Sequence, residues 1–145
     1  MKPVILDASV ACKWFLSGRD EKNVDEAVEL LRLFTKGKVR FEVPDLFFAE
    51  VGSVALRAER HKRSGRAICD QVIEQLLGMK LPAHPAAPLL QLAREIARRF
   101  NCAVYDSIYV ALAVNRNGTV VTADEKLVAA AAAYLPVAWL GAFPI

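Results

Sequence analysis

Histidine and cysteine are scarce. The 145 residues hold two histidines and three cysteines, Cys12, Cys69 and Cys102, none at CxxC spacing from another. A zinc site built from thiolates and imidazoles is therefore not indicated, and an odd, widely spaced set gives no disulfide framework. At least two of the thiols are expected to be buried and reduced. His61 and His84 have no partner pattern and read as surface or structural residues. No apolar run reaches the ~20 residues of a membrane span, and the N-terminus lacks the basic start, long apolar stretch and cleavage site of a signal peptide. The chain is thus expected to be cytoplasmic, with no membrane partner. Neither sign of charge dominates: 19 Lys and Arg against 16 Asp and Glu leave +3, which alone names no partner.

What is present is apolar content, 54% of the residues, enough for one domain over residues 1–145 with a full core. Val4-Ile5-Leu6 reads as a short strand buried on both faces, as in the centre of a parallel sheet, and it ends abruptly in Asp7. Thr119-Val120-Val121-Thr122 repeats the pattern and is followed by Ala123-Asp124. Between these lie helical patterns over Ser9–Ser17, which Gly18 would end, and over Asn23–Lys36. Val39–Val43 alternates as a strand with one exposed face, and Asp45 is placed to cap a helix running to about His61. Ser64–Met79 is helical; Lys80–Pro85 is too proline-rich for more than an edge strand or loop. Pro88 suits the first turn of a helix that Asn101 ends. Tyr105–Ala113 opens a helix apolar around most of its circumference, which must be buried. Glu125–Tyr134 is alanine-rich and helical, and Val137–Leu140 is a last strand. Alternation of this kind means an α/β fold, a parallel sheet with helices on both faces.

Four acids sit against apolar neighbours rather than in charged stretches: Asp7 and Asp124 after strands, Glu50 within the third helix, and Asp106 in the first turn of the buried helix. Singly, each is well explained as a helix cap or an ion-pair partner. Together at one sheet edge they would repel by several kcal/mol at an effective dielectric of ~20, so something positive belongs among them. Oxygen donors without His or Cys select Mg²⁺ or Mn²⁺, and the chemistry such a site favours is phosphodiester hydrolysis. Ser9 and Thr122 lie two residues from an acid, placed to fix a carboxylate rotamer; a helix cap is an equal reading for Ser9.

Asp7-Ala8-Ser9 after a strand, Glu50 in the third helix, the Tyr105-Asp106-Ser107-Ile108-Tyr109-Val110-Ala111-Leu112-Ala113 block and Thr122-Ala123-Asp124-Glu125-Lys126-Leu127 together resemble the PIN-domain ribonucleases, most closely the VapC toxins of toxin-antitoxin pairs. The resemblance covers nearly the whole chain. It implies a three-layer α/β/α fold with a central parallel sheet of four to five short strands. It also implies an endoribonuclease whose catalytic, metal-binding acids are Asp7, Glu50, Asp106 and Asp124, with Thr122 as a supporting hydroxyl, a VapB-like antitoxin as inhibitor, and a homodimer. One departure is Ser53, where many relatives carry asparagine.

Without the four acids, 12 acids stand against 19 bases, a surplus of seven positive charges able to attract a polyanion. Lys13, Arg57, Arg60 and Lys126 follow the acids in sequence and are candidates for holding RNA, although bases on helix exteriors also merely solvate a fold. Trp14 and Phe15 can stack bases, but a core or dimer role suits them better. The alternative from another class is a non-catalytic signalling or binding domain of similar architecture. Receiver domains carry adjacent acids after the first strand and a phospho-accepting Asp after the third; here Asp7 stands alone, and Pro82–Pro88 occupies the later position. A haloacid-dehalogenase-type phosphatase needs a second aspartate that Asp7-Ala8-Ser9 lacks.

Overall fold

The computed structural model describes residues 1–16 and 21–143. Five parallel strands, β1 (Val4–Leu6), β2 (Phe41–Pro44), β3 (Ala83–His84), β4 (Thr119–Thr122) and β5 (Val137–Trp139), form one sheet in the order β3-β2-β1-β4-β5. The helices are α1 (Ala8–Phe15), α2 (Val24–Thr35), α3 (Leu46–Arg60), α4 (Arg66–Gly78), α5 (Leu90–Phe100), α6 (Val104–Arg116) and α7 (Glu125–Ala131), with a 3-10 turn over Ala87–Leu89 leading into α5. α1 packs on α2 and α3, and α3 on α4; α5 packs on α6, which lies across β1, β2 and β4. With parallel strands in this order, the right-handed crossover rule assigns the first group to one face of the sheet and the second to the other. The result is a three-layer α/β/α fold.

The central strand explains its own composition. Ile5 and Leu6 are fully buried because β1 has a strand on each side and helices above and below. From β1 the chain moves outward to β2 and β3, then returns to place β4 on the opposite side. Loops leaving β1 and β4 therefore part in opposite directions and open a crevice at the carboxyl edge, where α/β sheets bind their ligands. Gly118 makes the β1–β4 pairing possible: a Cβ there would lie 2.4 Å from the Pro3 carbonyl oxygen, which accepts the Thr119 N–H. Asn101 and Asn117 end α5 and α6 in the left-handed conformation, which asparagine tolerates better than most residues.

Several local expectations are corrected. β2 has no exposed face: Glu42, 2% exposed, is held by Arg116, Arg40 and His84, so His84 does have a partner, 2.6 Å from the Glu42 carboxylate. Asp45 does not cap α3; its carboxylate instead accepts the Ala86 N–H, tying the β2 end to the segment after β3. α7 stops at Ala131, short of Tyr134. Of the three free cysteines only Cys69 is buried, and Cys12 and Cys102 are half-buried. Trp14 belongs to the core, stacked on Phe41 at 5.9 Å with its indole N–H on the Ala27 carbonyl. The expected stop at Gly18 lies outside the described residues.

Candidate active site

The switch-point crevice is where the four acids are found. Asp7 and Asp124 come from the ends of β1 and β4, Glu50 from the second turn of α3, and Asp106 from the first turn of α6. All four line one cleft of about 360 Å³, together with Ser9, Ser53 and Arg57.

Asp7 is 6% exposed, and one of its oxygens, Oδ2, accepts two hydroxyls, Ser9 and Thr122, each at 2.6 Å. The same hydroxyls accept backbone N–H groups from the turn after β4: Ala123 donates to Ser9 at 3.1 Å and Asp124 to Thr122 at 3.0 Å. Each hydroxyl thus joins the β1 end to the β4 end and fixes the Asp7 rotamer. Both hydroxyls bond Oδ2, and no side chain among the described residues donates to Oδ1. Asp124 caps α7, its Oδ1 accepting from the Lys126 and Leu127 amides at 2.9 and 3.4 Å. Glu50 accepts the Tyr109 hydroxyl at 2.7 Å, across α3 and α6.

The electrostatics match the geometry. Burial pushes the Asp7 carboxyl above its ordinary range, the hydroxyls of Ser9 and Thr122 pull it back, and the Asp124 charge adds to the rise. Glu50 is lifted to about 6 by burial, with the Tyr109 hydroxyl opposing and the charges of Asp7 and Asp106 adding. Asp106 reaches about 6 through burial and then the charges of Asp7 and Asp124. A buried carboxylate and two half-buried ones, each pushed up further by the charge of an acid in the same cleft, form a site that attracts cations. Among the described residues no three acidic, imidazole or thiol side chains stand close enough together to hold a metal ion directly. The donors are all carboxylate and hydroxyl oxygens, the chemistry that suits a cation such as Mg²⁺, which keeps several waters and takes only one or two carboxylates directly.

The pattern of the PIN domain matches residues 4–133. VapC ribonuclease Mb0985 of Mycobacterium bovis and ribonuclease VapC9 of Mycobacterium tuberculosis are each 31% identical to this chain, over 72% of it and 86% of the relative. The chain belongs to the PIN-domain family, and to its VapC type. In fold it resembles the crystal structure of PAE2754 from Pyrobaculum aerophilum, with a TM-score of 0.65 at 19% identity over 88% of this chain and 78% of that one.

Within this PIN domain the candidate RNA-binding bases separate. Arg57 lines the acidic cleft, one turn beyond Ser53 on α3, and Lys126 lines an adjoining opening. Lys13 is turned away: its ammonium pairs with Glu21 at 3.4 Å and donates to the Lys22 carbonyl at 2.6 Å. Arg60 is exposed and lines neither opening. Sequence reasoning missed Tyr109, 1% exposed, whose hydroxyl orients Glu50. A signal was available, because a tyrosine in a helix buried all round needs a partner for its hydroxyl. Cys12 also reaches the cleft, but burial and then the Asp7 charge push its thiol up to about 12, which keeps it protonated.

Proposed function

We propose that the chain is a VapC-like toxin, an endoribonuclease that hydrolyses RNA phosphodiester bonds with Mg²⁺ or Mn²⁺ held by Asp7, Glu50, Asp106 and Asp124. The observation that carries this reading is the convergence of those four carboxylates, from four different elements, on the switch-point crevice of a PIN domain whose curated relatives are named ribonucleases. A bound divalent cation would supply charge neutralisation at phosphorus and activation of the attacking water.

The chain's own residues do the rest. Ser9 and Thr122 hold Asp7, which lines the cleft, in one rotamer. Tyr109 does the same for Glu50. Arg57 meets the substrate's negative charge at the cleft rim. RNA is the substrate, a VapB-like antitoxin the partner, a homodimer the working unit and the cytoplasm its place; no helix among the described residues is long and apolar enough to cross a membrane. An inhibitor's arginine would suit the cleft, because a guanidinium pairs bidentately with carboxylates.

Incubating purified protein with RNA tests the activity. Cleavage is expected with Mg²⁺ or Mn²⁺ and is expected to stop in excess EDTA; cleavage that survives EDTA overturns the metal-dependent mechanism. Asp7→Asn is expected to abolish cleavage with an unchanged circular dichroism spectrum, and full turnover in that variant would mean the acids are wrongly assigned.

A further inference from the structure

Asp106 and Asp124 are shared by two openings. On the α3 side they close the acidic cleft that Arg57 borders. On the other side they form, with Asn101, Lys126, Leu127 and Ala130, a second cleft of about 240 Å³. Each opening has one basic side chain at its wall, Arg57 in the first and Lys126 in the second. Neither makes an ion pair among the described residues, although carboxylates line the same walls. A base that leaves nearby acids unpaired remains available to an anion from solution.

Resting on the nuclease reading above, we propose that the second cleft is a nucleotide subsite. The phosphate next to the cleaved one pairs with Lys126, its nucleoside lies against Ala130 beside the exposed Asn101 amide, and a phosphate on the other flank pairs with Arg57. The strand thus crosses the acids between two cations. A small anion can occupy only one of these places, whereas a single strand with repeated phosphates engages both. The arrangement also solves a physical difficulty: four carboxylates repel a polyanion, and flanking cations hold it across them.

Binding measured without turnover tests this. The probe is a short fluorescent single-stranded RNA in EDTA, with anisotropy read across a salt series. Lys126→Ala and Arg57→Ala are each expected to weaken binding severalfold at low salt and to flatten the plot of log affinity against log salt by about 0.7, the value for one phosphate contact on a single strand. Arg94→Ala, on exposed α5 surface that lines neither cleft, is expected to leave both quantities unchanged. A neutral methylphosphonate moved along the probe should cost wild type affinity at one linkage where Lys126→Ala is indifferent. Unchanged slopes in both variants, an equal loss in Arg94→Ala, or no binding by wild type at low salt overturns the subsite. Wild type that binds this way but never cleaves with Mg²⁺ or Mn²⁺ removes the nuclease reading and leaves the subsite standing; wild type that cleaves while both variants bind normally does the reverse.

Discussion

At Asp7 two hydroxyls converge on one carboxylate oxygen, and each is also the acceptor for a backbone amide. Thr122, fully buried, is therefore more than a rotamer support. Thr122→Val keeps the shape but strands the Asp124 N–H and removes a donor from Asp7, so a stability loss of about 1–3 kcal/mol is expected in chemical denaturation. Thr122→Ser should recover most of it, and equal losses in both variants would contradict the hydroxyl's role. Tyr109→Phe makes a subtler change. The lost hydrogen bond is worth about 1 kcal/mol, and because that bond holds the Glu50 carboxyl down, its removal lets Glu50 rise beyond about 6. The acid limb of the RNA-cleavage pH profile should then move to higher pH, and an unmoved limb would show that Tyr109 does not act through Glu50.

Among the elements, β2 is anchored to α6 and β3 through Glu42. Burial works to raise the Glu42 carboxyl, but hydrogen bonds from Arg116 and His84 outweigh it and leave it lowered. A carboxyl lowered in the fold stabilises the protein above its unfolded value of 4.5, and that contribution is lost as pH falls. Arg116→Ala should cost about 1–3 kcal/mol near neutral pH, less than a fully buried pair because Arg116 is half exposed and His84 remains. The gap to wild type should narrow as pH drops below 4.5; a constant gap would make Arg116 a packing residue only. Elements such as β1, α6 and β4 were legible in sequence because burial on all sides writes itself as an unbroken apolar run, and the acids at their ends stood out against it. Glu42 was not legible, since its partner Arg116 lies 74 residues away and alternation alone implies an exposed face. The Tyr109 to Glu50 bond spans 59 residues and was hidden for the same reason. Asp45 carries the capping signature but bonds Ala86, because tertiary contact outbids a local preference. The convergence of the four acids follows from topology: only the return of the chain to the far side of β1 brings Asp124 beside Asp7.

Over the whole molecule, charge is sorted, with acids gathered at one crevice and a surplus of bases elsewhere. The sorting has a cost in stability. Glu50 and Asp106, ordinarily at 4.5 and 3.8, stand at about 6 in the fold, so the folded state binds protons more tightly than the unfolded chain. Metal-free stability is therefore expected to fall as pH rises through this window and to be lower at pH 7 than at pH 5, with Glu42 opposing only below 4.5. A cation bound among the acids is expected to reverse the effect, adding about 2.7 kcal/mol at one hundred times its dissociation constant. The most direct test of the acids as a cation site is thermal unfolding of wild type and Asp106→Asn at neutral pH, from EDTA through a Mn²⁺ titration. In EDTA the variant should be the more stable, by about 1 kcal/mol given how well partly exposed carboxylates are screened; wild type should then gain steadily with Mn²⁺ while the variant gains little, so that the curves converge or cross. A variant that is less stable in EDTA and responds to Mn²⁺ as wild type does would show that the Asp106 charge merely favours the first turn of α6, contradicting the cation site.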